Sequence, residues 1–175
     1  MKHWLIICVA LLVTSCKKNS SNEAPAGGSA VATPTGGSSS IGGKPKRDLA
    51  TLDVCALLTV AEIEAALGKS KPGSGDKTKC VWQSEAKSPD FEIEVEIEEI
   101  TKAGLERFED SLKNAEYYEV ITGLGEAASF HKGFKALAIK HNGLIITLQI
   151  RSAYMAPEKV DAARVPFGKA IVGRL

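Results

Sequence analysis

With 175 residues and 22 Lys and Arg against 21 Asp and Glu, the chain is close to electrical neutrality. Binding to a nucleic-acid backbone requires a dominant basic face, so this balance argues against a nucleic-acid partner. Apolar residues make up 44% of the chain and are spread unevenly enough to divide it into three stretches, 1–15, 16–47 and 48–175.

The first stretch has a short basic start, Met1-Lys2-His3, an apolar run from Trp4 to Val13, and small residues Thr14 and Ser15. That is the layout of a secretory signal. The apolar run is too short to cross a hydrocarbon core of roughly 30 Å, which takes a helix of about 20 residues. The order Val13-Thr14-Ser15-Cys16 resembles the lipobox of bacterial lipoprotein signal peptides. The resemblance implies cleavage before Cys16, a diacylglycerol on its sulfur and a membrane as the first partner of the mature chain, because two or more acyl chains anchor stably. Lys17 stands where an aspartate would resemble an inner-membrane retention signal, so the outer membrane is the expected destination.

From 16 to 47 the chain is mostly Ser, Gly, Ala, Pro, Lys and Asn, with Ile41 nearly alone among large apolar residues. Such a segment buries too little surface to offset its ordering entropy, and its Gly-Gly pairs and prolines predict a disordered tether. The final stretch, about 125 residues, suffices for one domain with a single core.

In chain order, Thr59 and Glu62 form a T-x-x-E capping box, and Val60, Ile63 and Leu67 recur on one face. This predicts a helix over 57–67, stopped by Gly68. Cys55 precedes it and Cys80 opens a probable strand, Lys79-Cys80-Val81-Trp82. After export both thiols meet an oxidising compartment. Their spacing fits neither a C-x-x-C redox pair nor a Cys/His metal cluster, so a disulfide is expected.

Residues 91–98, Phe-Glu-Ile-Glu-Val-Glu-Ile-Glu, alternate strictly. As a strand they place Phe91, Ile93, Val95 and Ile97 on one face and Glu92, Glu94, Glu96 and Glu98 on the other. Three readings of the glutamates follow: a solvated face paired internally, a surface for a protein partner, or a cation site. Lys77, Lys79, Lys135, Lys140 and Arg151 lie in or beside predicted strands and could supply the pairing. No EF-hand loop accompanies the acids.

A second helix is predicted over 102–114, capped by Thr101, with Leu105, Phe108 and Leu112 as its stripe. Strands over 117–121 and 127–131 flank Gly123-Leu124-Gly125, whose glycines suit positive φ. Strands over 135–141 and 144–151 surround Asn142-Gly143, the strongest two-residue signal for a type I′ hairpin. A last helix over 157–174 presents Val160, Ala163, Phe167, Ala170 and Ile171, with a kink expected at Pro166. The order predicts an α+β fold, a largely antiparallel sheet with about three packing helices stapled by one disulfide. With all three helices on one face, the glutamates would occupy the open one.

Asp53-Val54-Cys55-Ala56-Leu57-Leu58-Thr59, Cys80-Val81-Trp82 and Gly123-Leu124-Gly125-Glu126-Ala127 resemble, in that order, an uncharacterised family of small bacterial lipoproteins. The resemblance implies a topology and a Cys55 to Cys80 bridge, and no reaction. The layout is also similar to the α-β-α sandwich of PsbP-like proteins, which act as accessory subunits.

No catalytic constellation, metal-ligand set or cofactor motif emerges. His131 and His141 each sit beside a turn without metalloprotease or serine-elbow context, and Gly68-Lys69-Ser70 lacks the first glycine of a phosphate loop at Ile63. The expectation is a lipid-anchored envelope lipoprotein acting as a non-catalytic interaction or accessory module for another envelope protein. The alternatives are a periplasmic carrier or sensor of a small apolar ligand and, lower still, a hydrolase using the strand glutamates.

Overall fold

Thr59 decides where the first helix begins. Its Oγ1 accepts the Glu62 amide at 3.2 Å while Glu62 Oε2 accepts the Thr59 amide at 2.9 Å, closing the predicted capping box. α1 is therefore Val60–Ala66, shorter than expected, and Val54–Leu57 forms a separate 3-10 turn capped by Asp53. Gly68 ends the segment at φ +117°. The computed structural model describes residues 49–175, so the signal segment 1–15, the lipid attachment at Cys16 and the tether 16–47 lie outside the described residues.

The strands are β1 (Ser74–Gly75), β2 (Lys79–Gln83), β3 (Phe91–Glu99), β4 (Tyr118–Val120), β5 (Ala127–His131), β6 (Ala136–His141) and β7 (Leu144–Ser152). α2 is Lys102–Lys113 and α3 is Pro157–Arg174. All seven strands form one antiparallel sheet in the order β1-β2-β3-β7-β6-β5-β4. The chain builds a hairpin, sends α2 to the far edge, and returns through the meander β4 to β7. β7 then joins β3 along its whole length, from Phe91↔Ser152 to Glu99↔Leu144. At the β6–β7 turn Asn142 and Gly143 have φ of 49° and 78°, as a type I′ turn requires.

Residues opposite one another across an antiparallel sheet share a face. Val95, Leu148 and Leu137 are aligned in this way, as are Ile97, Ile146 and Ile139, and all six are buried. This inner face is covered by α1, α3 and the Val54–Leu57 turn. The turn is fastened by the Cys55–Cys80 disulfide, with Cα atoms 5.2 Å apart. Closing 25 residues of chain stabilises the fold by about 3 to 3.5 kcal/mol through loop entropy. Gly73 backs onto the bridge so closely that a Cβ there would fall 2.6 Å from Trp82 Nε1 and 2.7 Å from Cys80 Sγ.

α3 runs unbroken through Pro166, which is exposed and leaves its missing hydrogen bond on the solvent side. The buried faces of Val160, Ala163, Phe167 and Ile171 hold the helix on the sheet against the local cost of Pro166 and Gly168. α3 also clamps the α1 segment at both ends. Lys159 Nζ donates to the Leu67 carbonyl at 3.1 Å, and Arg174 donates to the Leu57 carbonyl and to Glu62, each at 2.7 Å.

One expectation about layering needs correction. α2 does not share a face with α1 and α3. Its Ser111 Oγ lies 2.8 Å from Ser129 Oγ on β5, and Ser129, Ala138, Thr147 and Glu96 are successive neighbours across the sheet. α2 therefore packs on the glutamate side, over the β4–β5 end. The reason lies in its stripe: Gly104, Phe108 and Ser111 are buried, while Leu105 and Leu112 are only half-buried. Because Ser111 donates to the Phe108 carbonyl at 2.6 Å, Ser129 must be the donor of the bond between helix and sheet. Over β2, β3 and β7 the outer face is left open.

Candidate functional site

β3 alternates as its sequence predicts, with Phe91, Ile93, Val95 and Ile97 buried and the glutamates outward. The register brings Gln83 and Arg151 opposite Glu92 from either side. Gln83 Nε2 donates to Glu92 at 2.9 Å, and Arg151 Nη1 donates to Glu92 at 2.8 Å and to Glu94 at 3.4 Å. Lys79 reaches diagonally to Glu94 at 3.0 Å. The Gln83 bond and then Arg151 hold the Glu92 carboxyl below its ordinary range, and Glu94 raises Lys79. A general acid needs a shift of the opposite sign from that of Glu92.

Of the five cations expected to pair with this face, Lys79 and Arg151 do so. Lys140 instead pairs with Glu126 at 3.6 Å, and Lys135 lies over the Phe130 ring at 5.8 Å. Glu96 and Glu98 stand exposed and take part in none of these pairs. The face is thus neutralised at its Glu92 end and acidic at its Glu98 end.

A second region was not singled out by the sequence. Beneath the first half of α3, where that helix meets the ends of β6 and β7, lies an open groove of about 300 Å³. Phe134, Ile150, Met155 and Val160 give it apolar walls; Lys135, Asp161 and Arg164 supply its charges, and Arg151 lines it while its guanidinium pairs with Glu92 and Glu94. Arg164 also lines a smaller pocket of about 220 Å³ against Phe130 and Leu137.

Arg164 is only 6% exposed. Its Nη1 pairs with Asp161, and its Cζ stacks 4.3 Å over the Phe130 ring. Its Nε is the one buried side-chain nitrogen or oxygen among the described residues with no hydrogen-bond partner. Such groups are rare in folded proteins. The signal was present in the sequence: Val160, Arg164, Phe167 and Ile171 recur at helical spacing, so a guanidinium occupies a position on the apolar stripe of α3.

Phe134 is exposed at 72% yet held firmly. His131 Nδ1 accepts the amides of Gly133 and Phe134 at 3.1 and 3.0 Å, and the His131 and Phe134 ring centroids are 4.4 Å apart. Gln149 Nε2 donates to the Phe134 carbonyl at 2.6 Å. His131 thus shapes the β5–β6 turn, while His141 stands at the other end of β6 beside Asn142.

Beside these regions, a wider depression of about 640 Å³ lies between Lys69, Glu85, Asp90 and Lys159, where opposite charges face each other. No protein-family model, curated protein or solved structure matches this chain. Among the described residues no group of three or more His, Cys, Asp or Glu could hold a metal ion, and no helix is long and apolar enough to cross a membrane. Cys55 and Cys80 are brought together as a disulfide; Cys16 lies outside the described residues.

Proposed function

We propose that the chain is a lipoprotein of the bacterial cell envelope, anchored through Cys16, most favourably in the outer membrane, whose folded domain is a non-catalytic module for binding another envelope protein. The supporting observation is the uneven glutamate face. Glu92 and Glu94 are internally paired, whereas Glu96 and Glu98 project from the open half of the sheet without such partners. A basic surface on a partner would complete the pairing there and be steered by the same charges. The test is photo-crosslinking in cells from residues 96 and 98 of the full-length chain. A discrete crosslinked species, lost in a Glu96→Lys, Glu98→Lys variant probed from a neighbouring position, is the expected result. No discrete species from either position would overturn the reading.

A second reading, a carrier or sensor of a small ligand, is favoured by the groove between α3 and the sheet. Its volume of about 300 Å³ lies at the lower end of ligand pockets, and its walls are mostly apolar.

A further inference from the structure

We infer that the groove beneath α3 is a binding site for a small amphipathic monocarboxylate, its carboxylate held at the Nε edge of Arg164 and its apolar body against Phe134, Ile150, Met155 and Val160. The inference rests on the carrier reading and narrows it from an apolar ligand to an anionic one.

Arg164 carries the argument. A guanidinium has five donors in one plane and no acceptor. Asp161 occupies Nη1 and the Phe130 ring covers the guanidinium face, which leaves a buried Nε–H without an acceptor on a side chain that lines the groove. The Nε edge of arginine matches a planar carboxylate, whose two oxygens can take two parallel hydrogen bonds. A ligand oxygen would therefore satisfy the group that the fold leaves unmet.

The charge around the groove agrees in sign. Of the cations that line the groove, Lys135 and Arg164 are set against a single acid, Asp161. Arg151 is committed to Glu92 and Glu94, so the surplus is that of Lys135. Pro157, the first residue of α3, also lines the groove, and Glu158 in the same first turn offsets the positive end of that helix. Asp161 disfavours a doubly charged anion such as phosphate.

The apolar wall is prepared in advance. Phe134 is largely exposed, but His131 and Gln149 fix its backbone and the His131 ring supports its side chain. An aromatic held rigid in this way costs little entropy when a ligand covers it. A groove of about 300 Å³ limits the ligand to about a dozen heavy atoms.

The test titrates the full-length chain with 4-phenylbutyrate and, separately, with neutral 4-phenylbutanol, following the methyl NMR signals of Ile150 and Val160. Both sets of signals should move with the acid, which should bind at least about tenfold more tightly than the alcohol, as expected for a charge-assisted pair. Arg164→Met should remove that preference. Phe134→Ala, a change at an exposed position, should weaken acid and alcohol alike by about threefold or more. Equal affinities for acid and alcohol would overturn the anionic assignment and leave the carrier reading standing. Signals that move with neither compound would overturn both. Unchanged acid binding in Phe134→Ala, or displacement of the acid by equimolar inorganic phosphate, would also overturn the assignment.

Discussion

The outer face of β3 and the groove beneath α3 hold charge in opposite ways. On β3, four like charges follow one another along the strand, yet Arg151, Lys79 and Gln83 gather round Glu92 and Glu94, and water reaches the remainder. Pairs of this exposed kind contribute about 0.2 to 1 kcal/mol each. Beneath α3 there is one buried cation with one acid and one aromatic ring, and a donor left over. An unmet buried donor costs about 1 to 3 kcal/mol. The densest run of charge in the chain is thus energetically quiet, while a single arginine is where the fold is incomplete.

The comparison can be broken most sharply at Ile93. Ile93→Ala removes a fully buried side chain from the inner face of β3 and should cost about 2 to 5 kcal/mol in denaturant unfolding with the disulfide intact. Glu94→Gln, one residue on and outward, should cost less than about 1 kcal/mol. Equal losses would mean that the glutamates stabilise the strand more than their pairing implies.

Acid unfolding gives a smaller effect and separates the two kinds of charge. Arg174 holds Glu62 down to about 2 from an ordinary 4.5, and Gln83 with Arg151 lowers Glu92. Both carboxyls bind protons less readily when folded than when unfolded. Their contribution is therefore full above the ordinary carboxylate value and lost as the pH falls through the lowered one, which for Glu62 lies at about 2. Glu62 is 35% exposed, so solvent screening reduces its effect on stability below what that shift suggests. Glu62→Gln should flatten the fall in unfolding midpoint between pH 4.5 and 2 more than Glu92→Gln does.

The smallest effect sharpens the comparison furthest. Replacing a buried, incompletely paired cation by a side chain of similar length and no charge is neutral or stabilising, so Arg164→Met should hold or raise thermal stability, by up to about 1 kcal/mol. A loss above about 2 kcal/mol would make Arg164 a structural residue rather than a binding one.

The elements with strong local signals were legible in advance. The Thr59 capping box, the alternation of β3, the Asn142-Gly143 turn and the bounds of α3 all depend on residues adjacent in the chain, and each stands in the structure. α1 came out shorter because Asp53 starts a turn of its own before Thr59. The placement of α2 was not legible. A helix with one large buried residue, Phe108, between Gly104 and Ser111 has no strong apolar face to declare which layer it joins. Arg164 carried a readable signal, a charge on an apolar stripe, but nothing local showed whether that charge would be paired.

By itself, the sequence determined the α+β class, the antiparallel sheet and the cysteines available to bridge, because periodicity, caps and turns act over a few residues. Tertiary structure alone decided that β7 returns to β3, that α2 covers the outer face at the β4–β5 end, and that Glu92 and Glu94 find Arg151. It also decided that Arg164 is buried with an Nε–H unmet beside a groove. The physical reason is that pairing and burial are relations between residues far apart in the chain, Arg151 standing 59 positions from Glu92, and no local pattern specifies them.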